Sequence, residues 1–164
     1  MKYERFEDIP VWKDAISLAV EAFKLTEDKR FRFKGDIANQ LQRAVLSVSN
    51  NIAEGFERGT TQELIAFLYY SRGSAGEVRS ILCVIEQLGA FNDLKSQISD
   101  LKIKAESISR QIRGWTASLQ NTGIKGQRYL NDKTKKSFER NKERKEFEET
   151  LRQIVDNKNP KSQI

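Results

Sequence analysis

Between Leu94 and Leu119 the apolar side chains recur in unbroken steps of four and three: Leu94, Ile98, Leu101, Ala105, Ile108, Ile112, Trp115 and Leu119. That is a heptad seam, and it commits the segment to a long helix whose apolar edge other helices must cover. No stretch alternates apolar and polar residues with the period of two that a half-buried strand needs. Three further helical segments can supply the cover. The first starts near Pro10, which is tolerated in a first turn, and runs to about Thr26 with Trp12, Ala15, Ile16, Ala19, Val20 and Phe23 on one face. The segment KRFRFKG, closed by Gly35, reads as a loop, and Asp36 is placed to cap the second helix. That helix carries Ile37, Leu41, Ala44, Val45, Val48 and Ile52, and Gly55 and Gly59 mark its end. Thr60 and Glu63 are spaced as a capping box for the third, whose face is Leu64, Phe67, Leu68, Ser71, Ala75, Val78, Leu82 and Ile85, with Gly89 as its stop. Short connections between long amphipathic helices favour antiparallel neighbours. The expected fold is therefore all-α, an antiparallel up-down-up-down four-helix bundle over residues 1–121.

Charge separates the rest of the chain from this bundle. Of 29 Lys+Arg and 23 Asp+Glu in 164 residues, residues 1–121 hold 17 basic and 16 acidic side chains, and residues 122–164 hold 12 and 7. A net of +5 thus lies in the last 43 residues, which read as a basic tail, partly helical or disordered. Phe147, Leu151, Ile154 and Val155 could line one face of an additional short helix there, ordering against a partner or another subunit.

Composition also excludes chemistry. The chain has no His, which removes the commonest general base, the commonest zinc ligand and every Ser-His or Cys-His pair. One Cys cannot form an intramolecular disulfide, and Cys83, beside the apolar face of the third helix, reads as a buried, inert thiol. Neither Ser47 nor Ser74 is accompanied by a Ser-x-x-Lys string. No enzyme activity, metal or cofactor is expected. No apolar run approaches the ~20 residues of a membrane span, and MKYERFEDIP lacks the apolar core of a signal peptide, so the expectation is a cytoplasmic protein without membrane contact.

On the second helix Gln40, Arg43, Ser47, Asn51, Glu54 and Arg58 share an arc of roughly 80° bordering the apolar face. In an antiparallel hairpin Arg43 would face Ser74 and Glu77, and Ser47 would face Ser74. One reading is an interhelical polar network, with an Arg43–Glu77 ion pair and with Asn51 and Glu54 bonding the loop backbone. The other is a ligand or RNA groove. Polar groups beside a core are usually satisfied internally, which favours the first.

The same residues carry a resemblance. Asn51-Ile52-Ala53-Glu54-Gly55, preceded by Gln40-Leu41-Gln42-Arg43-Ala44 and Ser47, with Phe6 and Val11-Trp12 before them and Gly73-Ser74 and Glu77 after, resembles the signature of the 23S rRNA intervening-sequence protein family, over about residues 3–120. The resemblance implies a left-handed bundle that assembles into a ring, typically a homopentamer, in bacteria. It also implies kinship with the accessory variability protein of diversity-generating retroelements, which engages a reverse transcriptase and RNA. Gln40, Arg43, Ser47, Asn51, Glu54, Gly55, Ser74 and Glu77 then stand at signature positions, and residues 122–164 depart from the family pattern.

RNA, or another nucleic acid, is the expected partner. Lys125, Arg128, Lys133, Lys135, Lys136, Arg140, Lys142, Arg144 and Lys145 could neutralise phosphates, with Tyr129 and Phe138 between them available for stacking. Arg72 and Arg79, seven apart on the third helix, and Arg110 and Arg113 on the fourth, extend the basic surface, although Glu106 stands four residues before Arg110 as an ion-pair partner. Gly123-Ile124-Lys125-Gly126 has the GxxG form of a backbone clamp but no strands around it, and reads as helix-stop glycines. The alternative function is an oligomeric adaptor or accessory subunit whose target is a protein such as a reverse transcriptase, docked through the Phe147–Val155 face.

Overall fold

The computed structural model describes residues 3–121 together with Arg140, Glu143, Arg144 and residues 146–150. Every regular element among the described residues is helical. Four are long: α1 (Pro10–Thr26), α2 (Ile37–Glu57), α3 (Thr61–Gln87) and α4 (Lys95–Gln120). Short 3-10 turns at Phe6–Asp8, Lys29–Phe33 and Gly89–Leu94 precede α1, link α1 to α2 and link α3 to α4. By internal contacts the chain divides into two units, Met1–Arg128 and Tyr129–Ile164.

In the first unit the main packing runs α1–α2, α2–α3, α3–α4 and α4–α1. Cross-helix bonds give the directions. Ser47 meets Ser74 at 2.8 Å while the Ser71 hydroxyl donates to the Val48 carbonyl at 2.7 Å, so α2 and α3 run antiparallel. Glu86–Lys102 and Tyr69–Gln120 establish the same for α3 and α4, as Glu21–Lys104 and Asp14–Gln111 do for α1 and α4. The α4 seam lies inward as its spacing requires: Ile98, Leu101, Ala105, Ile108 and Ile112 are fully buried, and Leu94, Trp115 and Leu119 close its ends half-buried.

Helix α1 corrects the sequence expectation. Its buried residues are Val11, Ala15, Leu18, Ala19, Ala22 and Leu25, whereas Val20 and Phe23 are exposed and Trp12 and Ile16 half-buried. The helix is turned by about one residue, ~100°, from the face its bulkiest apolar side chains suggest. Three alanines on the inner face let the neighbouring backbones close in, and the larger side chains are left outside.

The α2–α3 connection departs from expectation only at its cap. Gly55 lies buried in the last turn of α2, as expected near its end, and the chain turns at Gly59, whose φ of +81° suits glycine. Thr60 makes half of the expected box: its hydroxyl accepts from the Glu63 N–H at 3.2 Å, while the Glu63 carboxylate accepts a hydrogen bond from the Thr60 hydroxyl at 2.6 Å. Asp36 does not cap α2 with its side chain; that carboxylate accepts from Asn39 and Arg43 instead.

One end of the unit is locked by Arg30. Its five N–H donors reach Asp28 through Nε (2.9 Å) and Nη2 (2.6 Å), Asp93 through Nη1 (2.6 Å) and Nη2 (3.0 Å), and the Ala90 carbonyl through Nη1 (2.6 Å). The guanidinium also lies 5.3 Å from the Phe91 ring centre, and Phe91 packs on Phe31 at 4.6 Å. The α1–α2 and α3–α4 connections are thereby clasped together. Hydrogen bonds from the Arg30 side chain and backbone hold the Asp28 carboxyl down to about 2, from 3.8. A carboxyl lowered on folding contributes stability above its unfolded value and loses it as pH falls through the folded one. Acid unfolding followed by tryptophan fluorescence should show stability declining from pH 3.8 to about 2. Arg30→Met should make that decline shallower; an unchanged acid limb would refute the clasp.

In the second unit Arg140, Glu143, Arg144 and residues 146–150 are helical. Arg144 lies 3.5 Å from Glu148, the Thr150 hydroxyl donates to the Glu146 carbonyl at 2.8 Å, and Phe147 is exposed.

Candidate nucleic-acid interface

Antiparallel α3 and α4 leave an open groove between them, lined by Gly76, Arg79, Ser80 and Cys83 from α3 and by Ser99, Lys102, Ile103 and Glu106 from α4. Residues three and four apart share a helix face, so the α3 stripe continues from Arg79 through Gly76 to Arg72. The α4 stripe continues from Glu106 to Arg110 and Arg113. The register set by Glu86–Lys102 at one end and Tyr69–Gln120 at the other puts Arg72 beside the turn that carries Arg113. All four arginines picked out on spacing are exposed; Arg79 lines the groove, and Arg72, Arg110 and Arg113 lie beyond its lining residues on the same two helix faces.

Their charges are not equally available. Arg110 is held by Glu106 at 2.7 Å, as its position four residues on allows. Lys102 lies 2.7 Å from Glu86, whose hydrogen bond keeps its ammonium above the ordinary lysine value. The negative charge of a Cys83 thiolate would act in the same direction. Arg72, Arg79 and Arg113 make no ion pair among the described residues. Gly76 contributes no side chain, and a Cβ there would meet nothing within 4 Å, so the groove stays open between Arg72 and Arg79. Cys83 is exposed on the groove wall, which corrects the expectation of a buried thiol: it lies on the α3 edge facing α4, not on the inward face.

The polar stripe of α2 spends its bonds locally. The Asn51 amide donates to the Ser47 carbonyl (2.7 Å) and hydroxyl (3.0 Å), and Ser74 donates to the Tyr70 carbonyl (3.1 Å) as well as meeting Ser47. Glu54 accepts from Arg58 at 2.6 Å, so neither Asn51 nor Glu54 turns to the loop backbone. The expected Arg43–Glu77 pair is absent: Arg43 reaches Asp36, two turns back on its own side of α2, at 2.9 Å. Gln40 and Glu77 are exposed, and Gly55 is buried against α3. Among the described residues no group of three or more Cys, Asp or Glu side chains is placed to hold a metal ion, and no helix is long and apolar enough to cross a membrane.

Of the basic tail residues, Arg140 and Arg144 are exposed on helical backbone. Lys125, Arg128, Lys133, Lys135, Lys136, Lys142 and Lys145 lie outside the described residues, as do the Gly123–Gly126 motif and the apolar positions Leu151, Ile154 and Val155. Two features next to the groove escaped sequence reasoning. Lys102 lines it, and Tyr69, on the turn before Arg72 and bonded across to Gln120 of α4, is 46% exposed. The signal for Tyr69 was its antiparallel pairing with Gln120.

Fold and surface together define an all-helical protein with an open groove between its two longest helices, on whose walls stand Arg79 and Lys102. The chain belongs to the 23S rRNA-intervening sequence protein family, whose model matches residues 7–114. That match spans all four long helices except the last turns of α4. A comparison with curated proteins returned no match.

Proposed function

We propose that this chain is a non-enzymatic RNA-binding protein of the bacterial cytoplasm. In this reading it is an up-down-up-down four-helix bundle that assembles into a ring, a homopentamer, and takes hold of RNA phosphates through the α3–α4 groove and the basic segment 122–164. The observation that carries the reading is Arg79 on the wall of the α3–α4 groove, with Arg72 two turns back on the same face of α3 and Arg113 two turns beyond Glu106 on the facing side of α4, none of the three with an ion-pair partner among the described residues. Three such guanidiniums would repel one another less with an anion between them, and arginine binds phosphate in a fork geometry. The family description names 23S rRNA, which agrees with an RNA ligand. The net +5 of residues 122–164 adds salt-sensitive, sequence-independent attraction, multiplied by the copies in a ring. Exposed Val20 and Phe23 on α1 are apolar surface available to subunit contacts.

Two variants test this by fluorescence anisotropy with labelled RNA across a salt series. Arg72→Ala/Arg79→Ala/Arg113→Ala, and separately a chain ending at Asn121, should each weaken binding. Every phosphate left without its cation should reduce the salt slope by about 0.7–0.9. Light scattering of the full chain should give a mass near five times 18.9 kDa. Unchanged slopes in both variants would defeat the reading.

A second reading has one observation in its favour. Phe147 is 64% exposed on helical backbone, as an anchor for a protein partner such as a reverse transcriptase would be. Phe147→Ala should then abolish partner capture and spare RNA affinity.

A further inference from the structure

We propose that the α1–α2 connection, residues 29–35, is a contact for single-stranded nucleic acid, in which the Phe33 ring stacks on an unpaired base while Lys29, Arg32 and Lys34 hold neighbouring phosphates. This rests on the RNA-binding reading above and adds a second site to it, since none of these residues lines the α3–α4 groove.

The segment KRFRFKG interleaves cations with two aromatic rings, and the fold gives those rings opposite fates. Phe31 is 2% exposed and packs on Phe91. Phe33 is 85% exposed, more than any other large apolar side chain among the described residues, and belongs neither to the core nor to the half-buried layer around it. A phenyl ring left in water gives up the stabilisation that burial brings, and packing within this chain supplies no reason for it. The backbone that presents it is nevertheless ordered. Phe31 anchors the turn from below, and the Arg30 clasp ties it to Ala90 and Asp93. The Phe31 and Lys34 N–H groups donate to the Asp28 and Phe31 carbonyls at 3.0 and 3.1 Å. A ring carried on such a turn loses less freedom on binding than one on a loose loop.

Nothing local covers the ring. In a 3-10 turn side chains three apart eclipse one another, so Arg30 is the residue that could lie over Phe33. Its guanidinium is drawn away to Asp28, Asp93 and Ala90. Asp36, three residues further on, accepts from Asn39 and Arg43 instead. The same geometry puts Lys29 and Arg32 together on one flank of the ring, and Lys34 follows it directly. All three cations are exposed and make no ion pair among the described residues, because Arg30 and Arg43 already hold the three aspartates nearest the turn.

An uncovered ring between uncommitted cations suits a strand whose bases are free. Every base offers a face to stack on, and every linkage a phosphate to neutralise. In a duplex the bases are already stacked on each other, so a duplex can use the cations but not the ring. A lipid surface fits less well, since attachment there grows with buried apolar area and this turn offers one ring.

The test uses the full chain and two labelled RNAs of one sequence, one single-stranded and one annealed to its complement, measured by anisotropy across a salt series. Phe33→Ala should lose roughly 5- to 150-fold of affinity for the single strand while leaving duplex affinity and both salt slopes unchanged. Phe33→Leu, apolar without a π face, should lose nearly as much, and Phe33→Tyr should keep most of the affinity. Lys29→Ala/Arg32→Ala/Lys34→Ala should instead lower the single-strand salt slope by about 0.7 for each phosphate contact removed. These are surface changes, and their melting temperatures should match the parent.

Equal losses from Phe33→Ala on both RNAs, no loss on either, or full affinity in Phe33→Leu would overturn the stacking site and leave the groove reading standing. Absence of salt-sensitive binding to both RNAs by the parent chain would overturn the underlying reading itself. Two other results would also overturn the proposal, each with RNA affinity unchanged in Phe33→Ala. Loss of binding to phosphatidylserine-containing vesicles would assign the turn to an anionic lipid surface, and a lower mass by light scattering would assign it to contact between copies of the chain.

Discussion

Gly55→Ala should destabilise the helical unit by about 1–3 kcal/mol, measured by urea or thermal unfolding. The sign is the informative part. In an open helix interior, glycine to alanine gains up to about 1 kcal/mol from backbone entropy. At Gly55 that gain is outweighed. A Cβ there would lie 2.6 Å from the Phe67 Cβ and 3.4 Å from the Leu64 Cα. Both atoms belong to or sit directly on the α3 backbone, so no rotamer change relieves the overlap, and α2 and α3 would have to move apart. The separation would also strain the Ser47–Ser74 and Ser71–Val48 bonds that cross the same interface. Gly114→Ala is the control: it lies within α4, a Cβ would meet nothing within 4 Å, and the change should stabilise by about 0.5–1 kcal/mol. If both substitutions stabilise, the close approach of α2 to α3 is wrong.

Leu101→Ala should have a comparable or larger effect, a loss of about 2–5 kcal/mol in equilibrium unfolding. Leu101 occupies the middle of the α4 seam at 1% exposure, so deleting its branched end removes apolar packing and leaves a void that rigid helices on either side fill only partly. Ile103, two residues on, is 60% exposed, and Ile103→Ala should change stability by less than about 0.5 kcal/mol. Similar costs at the two positions would mean that α4 is not oriented by its heptad.

The seam was legible because large aliphatic residues in α4 fall almost wholly on one side. Helix α1 was not, because apolar count is a poor guide where contact is made by alanines. Ala15, Ala19 and Ala22 are fully or nearly buried, while Val20 and Phe23 weigh more on any hydrophobic scale and face outward. A similar limit applies to polar partners. Ser47 and Ser74 could be paired across a hairpin from spacing alone, but Arg43 chose Asp36 on its own helix over Glu77 on the next. Arg30 lies within KRFRFKG, which reads only as a loop. Its clasp depends on Ala90 and Asp93, which nothing local associates with it. The four arginines of α3 and α4 could be selected by spacing on each helix; that their two faces meet along one groove required the α3–α4 register.

The Arg30 clasp has a consequence for the order in which the chain assembles. It joins positions 63 residues apart, whereas the α2–α3 hairpin closes over a turn of three residues between Glu57 and Thr61. Closing the longer span costs more chain entropy until the intervening helices have docked, so the hairpin can form early and the clasp only after α1 and α4 have been brought to the same end. An interaction completed after the rate-limiting step does not hasten folding; it slows escape from the folded state. Arg30 thereby acts as a latch on lifetime, governing how long the assembled helices stay shut rather than how fast they come together.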